Sequence, residues 1–295
     1  MTAVTRVAPA AAAPYERPAH GHLSYEELVE HVRAGELGPD PAALRIAVAF
    51  VTRQAVRHDG RGTGYRNEVL SLRLAGAVGS CAVEPGALPD AAIDDCVGAD
   101  VARLLAHPLL PVRVAALDAY LMHVAPHVPE NGARPFPLPA GTSLEKSRAR
   151  AHAVVELLGL PAGATVLVVG VVNSLLEALR SRELRYVPCD LKGGVTEWGE
   201  EIVTDALTAA DRCDALLVSG MTLGNGSFEP LRRHALAHGK QLVMFAQTGS
   251  AVLPRFLGHG VSAVCAEPYP FFWLDAGAGT LHRYHLDGRA SGGGR

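Results

Sequence analysis

Residues Thr165–Asp190 read TVLVVGVVNSLLEALRSRELRYVPCD. The run Thr165–Val172 is short, apolar and does not alternate, which marks a strand buried on both faces. Ser174–Arg182 then places Leu175, Leu176 and Leu179 at helical spacing, and Arg185–Pro188 forms a second strand. Strand, helix and strand in so short a space make the βαβ unit of a parallel sheet. The alternation continues through helix Glu200–Ala210, strand Ala215–Ser219, helix Phe228–His238, strand Gln241–Ala246, helix Val252–Leu257 and strand Ala263–Ala266, with Thr280–His285 closing an edge. The fold class is α/β: a Rossmann-like, mostly parallel sheet with helices on both faces.

A small α+β unit precedes it. Ser24 caps a helix that ends near Gly35, with Glu27 completing a capping box. Leu44–Val56, Glu68–Leu74 and Gly76–Ala82 read as a strand meander, and Ala91–Leu105 and Pro111–Val124 read as helices. Five prolines between Pro126 and Pro139 read as a linker, and the helix Ser143–Leu158 opens the second half. The expected organisation is a tail over 1–22, a small domain over 23–128, a linker over 129–142, the Rossmann-like ligand-binding domain over 143–288 and a tail over 289–295.

Bulk properties limit the partners. The 27 basic and 30 acidic side chains give a net charge of −3, which sets up no field for nucleic acid or an anionic membrane surface. No apolar run is long enough to span a bilayer. The five cysteines are scattered and never spaced as CxxC, which argues against a disulfide framework and for a cytoplasmic protein. The expected partner is a small molecule, with no nucleic acid and no membrane, and a homodimer is left open.

In such sheets ligands sit beyond the carboxyl ends of the strands. Reading those ends in order gives the candidate site. Gly170, Asn173 and Ser174 open a helix whose first amides can hold a polar group. Asp190, twenty residues after Gly170, is placed for two ribose hydroxyls. The motif Ser219-Gly-Met-Thr-Leu-Gly-Asn-Gly-Ser227 concentrates small and hydroxylated residues, with Ser219, Thr222 and Asn225 as ligand groups. Thr248 and Ser250 repeat the pattern at the next strand end. Glu267 follows, leading into Tyr269–Trp273, an aromatic segment that can wall a pocket or pack on the first domain. The loop His58–Glu68 can roof the cleft. Glu267, Glu68 and Tyr65 are the candidate catalytic groups, with the two glutamates as acid or base.

No GxSxG elbow, Walker loop or catalytic cysteine box occurs. The close histidine pairs His123/His127 and His234/His238 have i,i+4 spacing, which places two imidazoles on one helix face. Neither brings an evident third ligand, so both are expected to be solvated or core histidines, and no metal ligand is assigned.

Ala75–Val83, Ala102–Tyr120 and above all Ser219–Ser227 resemble a bacterial family named for heavy-metal chelation. The last is similar to that family's Thr-Leu-x-Asn-Gly-Thr run. The resemblance covers roughly Leu44–Glu267. It implies an enolase-N-terminal-like domain joined to a Rossmann-like one, with a cleft between them. The chain departs from the family at the Gly170–Ser174 turn and the Tyr269–Trp273 segment, which points to a divergent member in specialised metabolism. Three functions follow. The first is an enzyme holding an adenosyl-type ligand such as S-adenosylmethionine in the cleft, a transferase or lyase by class. The second is a non-catalytic binder of a metal or metal chelate, and the third is an interaction module with a vestigial pocket.

Overall fold

A computed structural model describes residues 23–58, 62 and 64–286. The two expected tails and the tip of the His58–Glu68 loop fall wholly or largely outside these residues. The small domain opens with α1 (Tyr25–Arg33), held by the expected capping box of Ser24 and Glu27. Strands β1 (Val48–Val56), β2 (Tyr65–Leu74) and β3 (Ala77–Val83) form an antiparallel meander in the order β1-β2-β3. The strand expected from Glu68 begins three residues earlier, because the β1 register pairs Val56 with Tyr65 and Arg53 with Glu68. Helices α2 (Ala91–Asp94) and α3 (Val101–Leu105) replace the single helix expected over Ala91–Leu105. Gly98, with φ +76°, breaks the run between them.

Helix α4 (Leu110–Val124) is buried along most of its length and packs on β3. The contact is close enough that a Cβ at Gly79 would lie 2.0 Å from the Ala119 nitrogen. Only glycine lets the strand approach the helix backbone this closely.

The second domain contains β4 (Arg134–Leu138), α5 (Ser143–Val155), β5 (Thr165–Val169), α6 (Asn173–Ser181) and β6 (Arg185–Cys189). It continues with α7 (Ala206–Asp211), β7 (Ala215–Ser219), α8 (Met221–Gly224), α9 (Phe228–Ala237), β8 (Gln241–Ala246), β9 (Ala263–Ala266) and β10 (Gly279–His285). The sheet order is β4-β10-β9-β8-β7-β5-β6, with β6-β5-β7-β8-β9 parallel and β10 and β4 antiparallel additions. Its parallel part has the flavodoxin-like order, whose switch point lies between β5 and β7.

Two expectations change here. The proline-rich stretch is not only a linker, since Arg134–Leu138 is the true edge strand and β10 lies inside it. Pro135 and Pro137, two residues apart, remove N–H groups from one side of the strand only, which an edge position tolerates. The helices expected over Glu200–Ala210 and Val252–Leu257 shrink to α7 and to a 3₁₀ turn at Leu253–Phe256, the latter carrying Pro254.

Alternation along the strands separates two cores. Leu216, Val218, Leu242, Met244 and Val264 face a core shared with α9 and the whole small domain, while Leu217, Val243 and Phe245 face α5 and α6. The cysteines are buried and unpaired. No helix among the described residues is long and apolar enough to cross a membrane.

Candidate functional site

The carboxyl edge of the sheet is where the two domains join. Asp118 on α4 is buried and accepts from the backbone N–H of Ser80 (2.8 Å) and of Ala251 (2.7 Å), so one carboxylate ties β3 to the loop after β8. Burial pushes Asp118 up to about 7, against the pull of these donors. Thr248 Oγ1 accepts from the Ala82 N–H, and the Gly249 N–H donates to the Ser80 carbonyl. Ser250 Oγ lies 3.4 Å from His127 Nε2, whose ring stacks on His282. The hydroxyls at the β8 end are thus committed to protein contacts.

The expected ligand groups elsewhere also have internal partners. Thr222 Oγ1 donates to the Ser219 carbonyl, and Ser219 Oγ accepts from the Met221 N–H. Asn225 Oδ1 accepts from the backbone and hydroxyl of Ser227, a local turn. Ser174 and Ser147 share a hydrogen bond, and Asn173 Nδ2 donates to Glu197. Gly170 has φ +88°, and a Cβ there would lie 2.7 Å from the Ser219 Cβ, so its glycine serves the packing of the switch point. Asp190 Oδ1 accepts from the Lys192 N–H within its own turn, and its side chain stays half-buried.

The three candidate catalytic groups separate. Glu267 is 3% exposed and fully engaged: Oε2 accepts from Arg150 Nε (2.8 Å) and Gln247 Nε2 (2.9 Å), and Oε1 from the Phe272 N–H (2.7 Å). Tyr65 packs edge-on against Trp273 and His58, and this crowding pushes its phenol up to about 12, so it is a proton donor and not a base near neutrality. Glu68 is buried; its Oε2 accepts from Arg53 Nε at 3.0 Å, while Oε1 has no partner. The aromatic segment packs on the small domain, with Tyr269 against Phe50 and Trp273 Nε1 donating to Gln54 Oε1.

A second cluster lies at the opposite edge, where the strands begin. Asp211 ends α7, and His234 and His238 follow at the end of α9, close to the starts of β7 and β8. One ligand atom from each of the three lies within 4.8 Å of the others. His238 Nδ1–H donates to the His234 carbonyl at 2.8 Å, which leaves Nε2 as the nitrogen with a free lone pair. His234 Nε2 is buried, makes no hydrogen bond and lies 3.5 Å from Asp211 Oδ1. Burial, with His238 next, holds the His234 imidazole below its usual range, so it is neutral and able to ligate at neutral pH. Bonds of about 2.0–2.1 Å in a tetrahedral site set donors roughly 3.4 Å apart. The cluster must therefore close by up to about 1.4 Å, which the exposed side chains of Asp211 and His238 permit. Two helix C-termini converge here, and their partial negative charge favours a cation. Lys240 already caps one of them, donating to the carbonyls of Ala210, Asp211 and Cys213. The histidine pair was visible in the sequence, whereas Asp211, contributed by a separate helix, was not.

Residues 153–266 match the family described as "Putative heavy-metal chelation" (DUF364). Over this stretch the chain is similar to that family. The matched segment takes in β5 to β9 and includes Asp211, His234 and His238. Among solved structures, a family protein of unknown function from Desulfitobacterium hafniense DCB-2 is 14% identical, with a TM-score of 0.54 over 82% of this chain and 84% of that one. This establishes a shared fold across both domains. Another, from Pyrococcus horikoshii, is 12% identical with a TM-score of 0.48, covering 81% of this chain and 86% of its own. No curated protein matches the chain in sequence.

Proposed function

We propose that the protein binds a borderline transition-metal ion as cargo, with Asp211, His234 and His238 as its protein ligands. The observation that carries this reading is His234 Nε2, a buried nitrogen with no hydrogen bond, facing a carboxylate and a second oriented imidazole. One oxygen and two nitrogens suit Zn²⁺, Ni²⁺ or Cu²⁺ better than a hard or a thiophilic ion. Three ligands leave coordination positions open to water or to an external chelator, as exchangeable binding requires. The family description agrees with this role. Titration of metal-free protein with Zn²⁺, Ni²⁺ and Cu²⁺ by calorimetry tests it. One ion per chain is expected, with affinity falling about 10-fold or more in His238→Ala and further in His234→Ala/His238→Ala. Equal binding by wild type and the double variant would refute the assignment.

A second reading places a small polar molecule in the cleft, on the β5–β6 side. It is favoured by Glu68 Oε1, a buried carboxylate oxygen without a partner. Nearby, Lys192 and Glu84 bridge the domains at 2.8 Å, beside Asp190. An adenosyl ligand such as S-adenosylmethionine is the form of this reading that uses Asp190, and a thermal shift with that compound, abolished in Asp190→Ala, is its test.

A further inference from the structure

Helix α7 runs for only six residues, Ala206–Asp211, and Asp211 is its last. So short a helix is marginal by itself, and its final carbonyls have no partner within it. The carboxylate offered to a metal therefore stands on backbone that frays unless another element holds it.

The holding group comes from the helix that carries the two imidazoles. α9 ends in a Schellman motif: the Gly239 N–H donates to the Leu236 carbonyl at 3.3 Å and the Lys240 N–H to the Ala235 carbonyl at 2.8 Å, with Gly239 at φ +60°. This fixes the Lys240 backbone relative to His234 and to His238, which is the C-cap. From there Lys240 Nζ donates to the carbonyls of Ala210 (2.5 Å), Cys213 (2.9 Å) and Asp211 (3.0 Å). Three donors are all that an ammonium has, so the group is wholly committed to the backbone around Asp211.

Charge alone would give Lys240 the opposite role. Its ammonium is close enough to the His234 ring for its charge to be felt there, and a cation in the cluster would be repelled by it. Positioning strengthens metal binding and repulsion weakens it, so removal of Lys240 tells which of the two governs.

We propose that Lys240 is the positioning residue of the metal site: it pins the end of α7 to α9 and so holds the Asp211 carboxylate against the His234 and His238 imidazoles. The inference rests on the metal reading above and adds to it the group that assembles the site from two helices.

Calorimetric titration of the metal-free full chain with Zn²⁺ tests it, on wild type, Lys240→Met, Asp211→Asn and Asp211→Asn/Lys240→Met. Asp211 is exposed, so water can replace the ammonium at the end of α7, and a melting curve of each variant checks that it folds. Lys240→Gln, which keeps one NH₂ group, is a second variant with an effect in the same direction. Lys240→Met is expected to weaken Zn²⁺ about tenfold or more, the size usual when an outer partner of a ligand is removed. In the Asp211→Asn background the same substitution is expected to weaken Zn²⁺ by less than about twofold, because the carboxylate it positions is gone. A generally loosened fold would weaken both backgrounds alike. The proposal is overturned, with the metal reading intact, if Lys240→Met and Lys240→Gln bind Zn²⁺ as tightly as wild type or more tightly, or if the loss is equal in the two backgrounds. Absence of Zn²⁺ binding by wild type would overturn the metal reading and this one with it.

Discussion

Replacing Glu267 by Gln changes one charge and almost no volume, which makes it a sharp test of what this carboxylate does. In the wild type Oε2 accepts from both Arg150 Nε and Gln247 Nε2. Glutamine can keep one oxygen on the Phe272 N–H, but its NH₂ then meets two other donors. Arg150, 7% exposed and set over the rings of Phe245 and Phe272, loses its counter-charge. Breaking a buried pair from one side costs about 3–5 kcal/mol. At roughly 2 °C per kcal/mol for a chain of this size, the melting temperature should fall by about 6–10 °C. Arg150→Met should cost a similar amount, and the double variant less than the sum, leaving a coupling of about 2 kcal/mol or more. Urea unfolding of the four proteins at one pH measures the cycle. A cost for Glu267→Gln below about 1 kcal/mol, or an additive cycle, refutes the structural role. A stabilising Glu267→Gln would indicate a carboxylate strained for chemistry, as the acid–base expectation requires.

Other outcomes follow from the same contacts. Burial, with His282 next, pushes His127 down to about 3, below its unfolded value near 6.5, so the stability that depends on neutral His127 is present above about 6.5 and lost as pH falls through that window. The upper bound is about 5 kcal/mol, and His127→Gln should flatten the acid limb of a stability–pH profile. Asp118 titrates in the opposite sense: raised to about 7, it withdraws stability as pH rises from about 4 to 7, so the His127 contribution is read as the difference between wild type and variant. Asp118→Asn puts an NH₂ against backbone donors of both domains and should cost about 2–4 kcal/mol, visible as earlier proteolysis at the domain junction. Gly79→Ala places a methyl 2.0 Å from the Ala119 nitrogen, and a drop in melting temperature of several degrees should follow.

The parallel core was legible in the sequence because β5, β7, β8 and β9 are short apolar runs punctuated by helices, a pattern set by burial on both faces. Elements whose form depends on distant contacts were not. Arg134–Leu138 looks like a linker until β10 is known to lie beside it. The strand-end hydroxyls are read from the sequence as ligand groups, and in the structure Thr248 accepts from the backbone of Ala82, 166 residues away. Nothing local distinguishes a hydroxyl awaiting a ligand from one that docks a domain.

The same asymmetry explains why the candidate metal cluster is only partly legible in the sequence. His234 and His238 share a helix face and are legible by spacing; Asp211 ends a different helix, and only the packing of α7 beside α9 brings it to them. Carboxylates elsewhere in the chain show what an engaged group looks like: Glu267 and Asp118 are each satisfied by several donors and tie pieces of the fold together. His234 Nε2, Glu68 Oε1, Tyr25 Oη and Arg113 Nε are buried without such partners. His282 Nδ1 and Arg283 Nε, neighbours on β10, are buried without partners too, so an unpaired buried atom points to a ligand only where, as at His234, a complementary charge stands beside it. The lone-pair nitrogen of His234 beside the Asp211 carboxylate suits a cation.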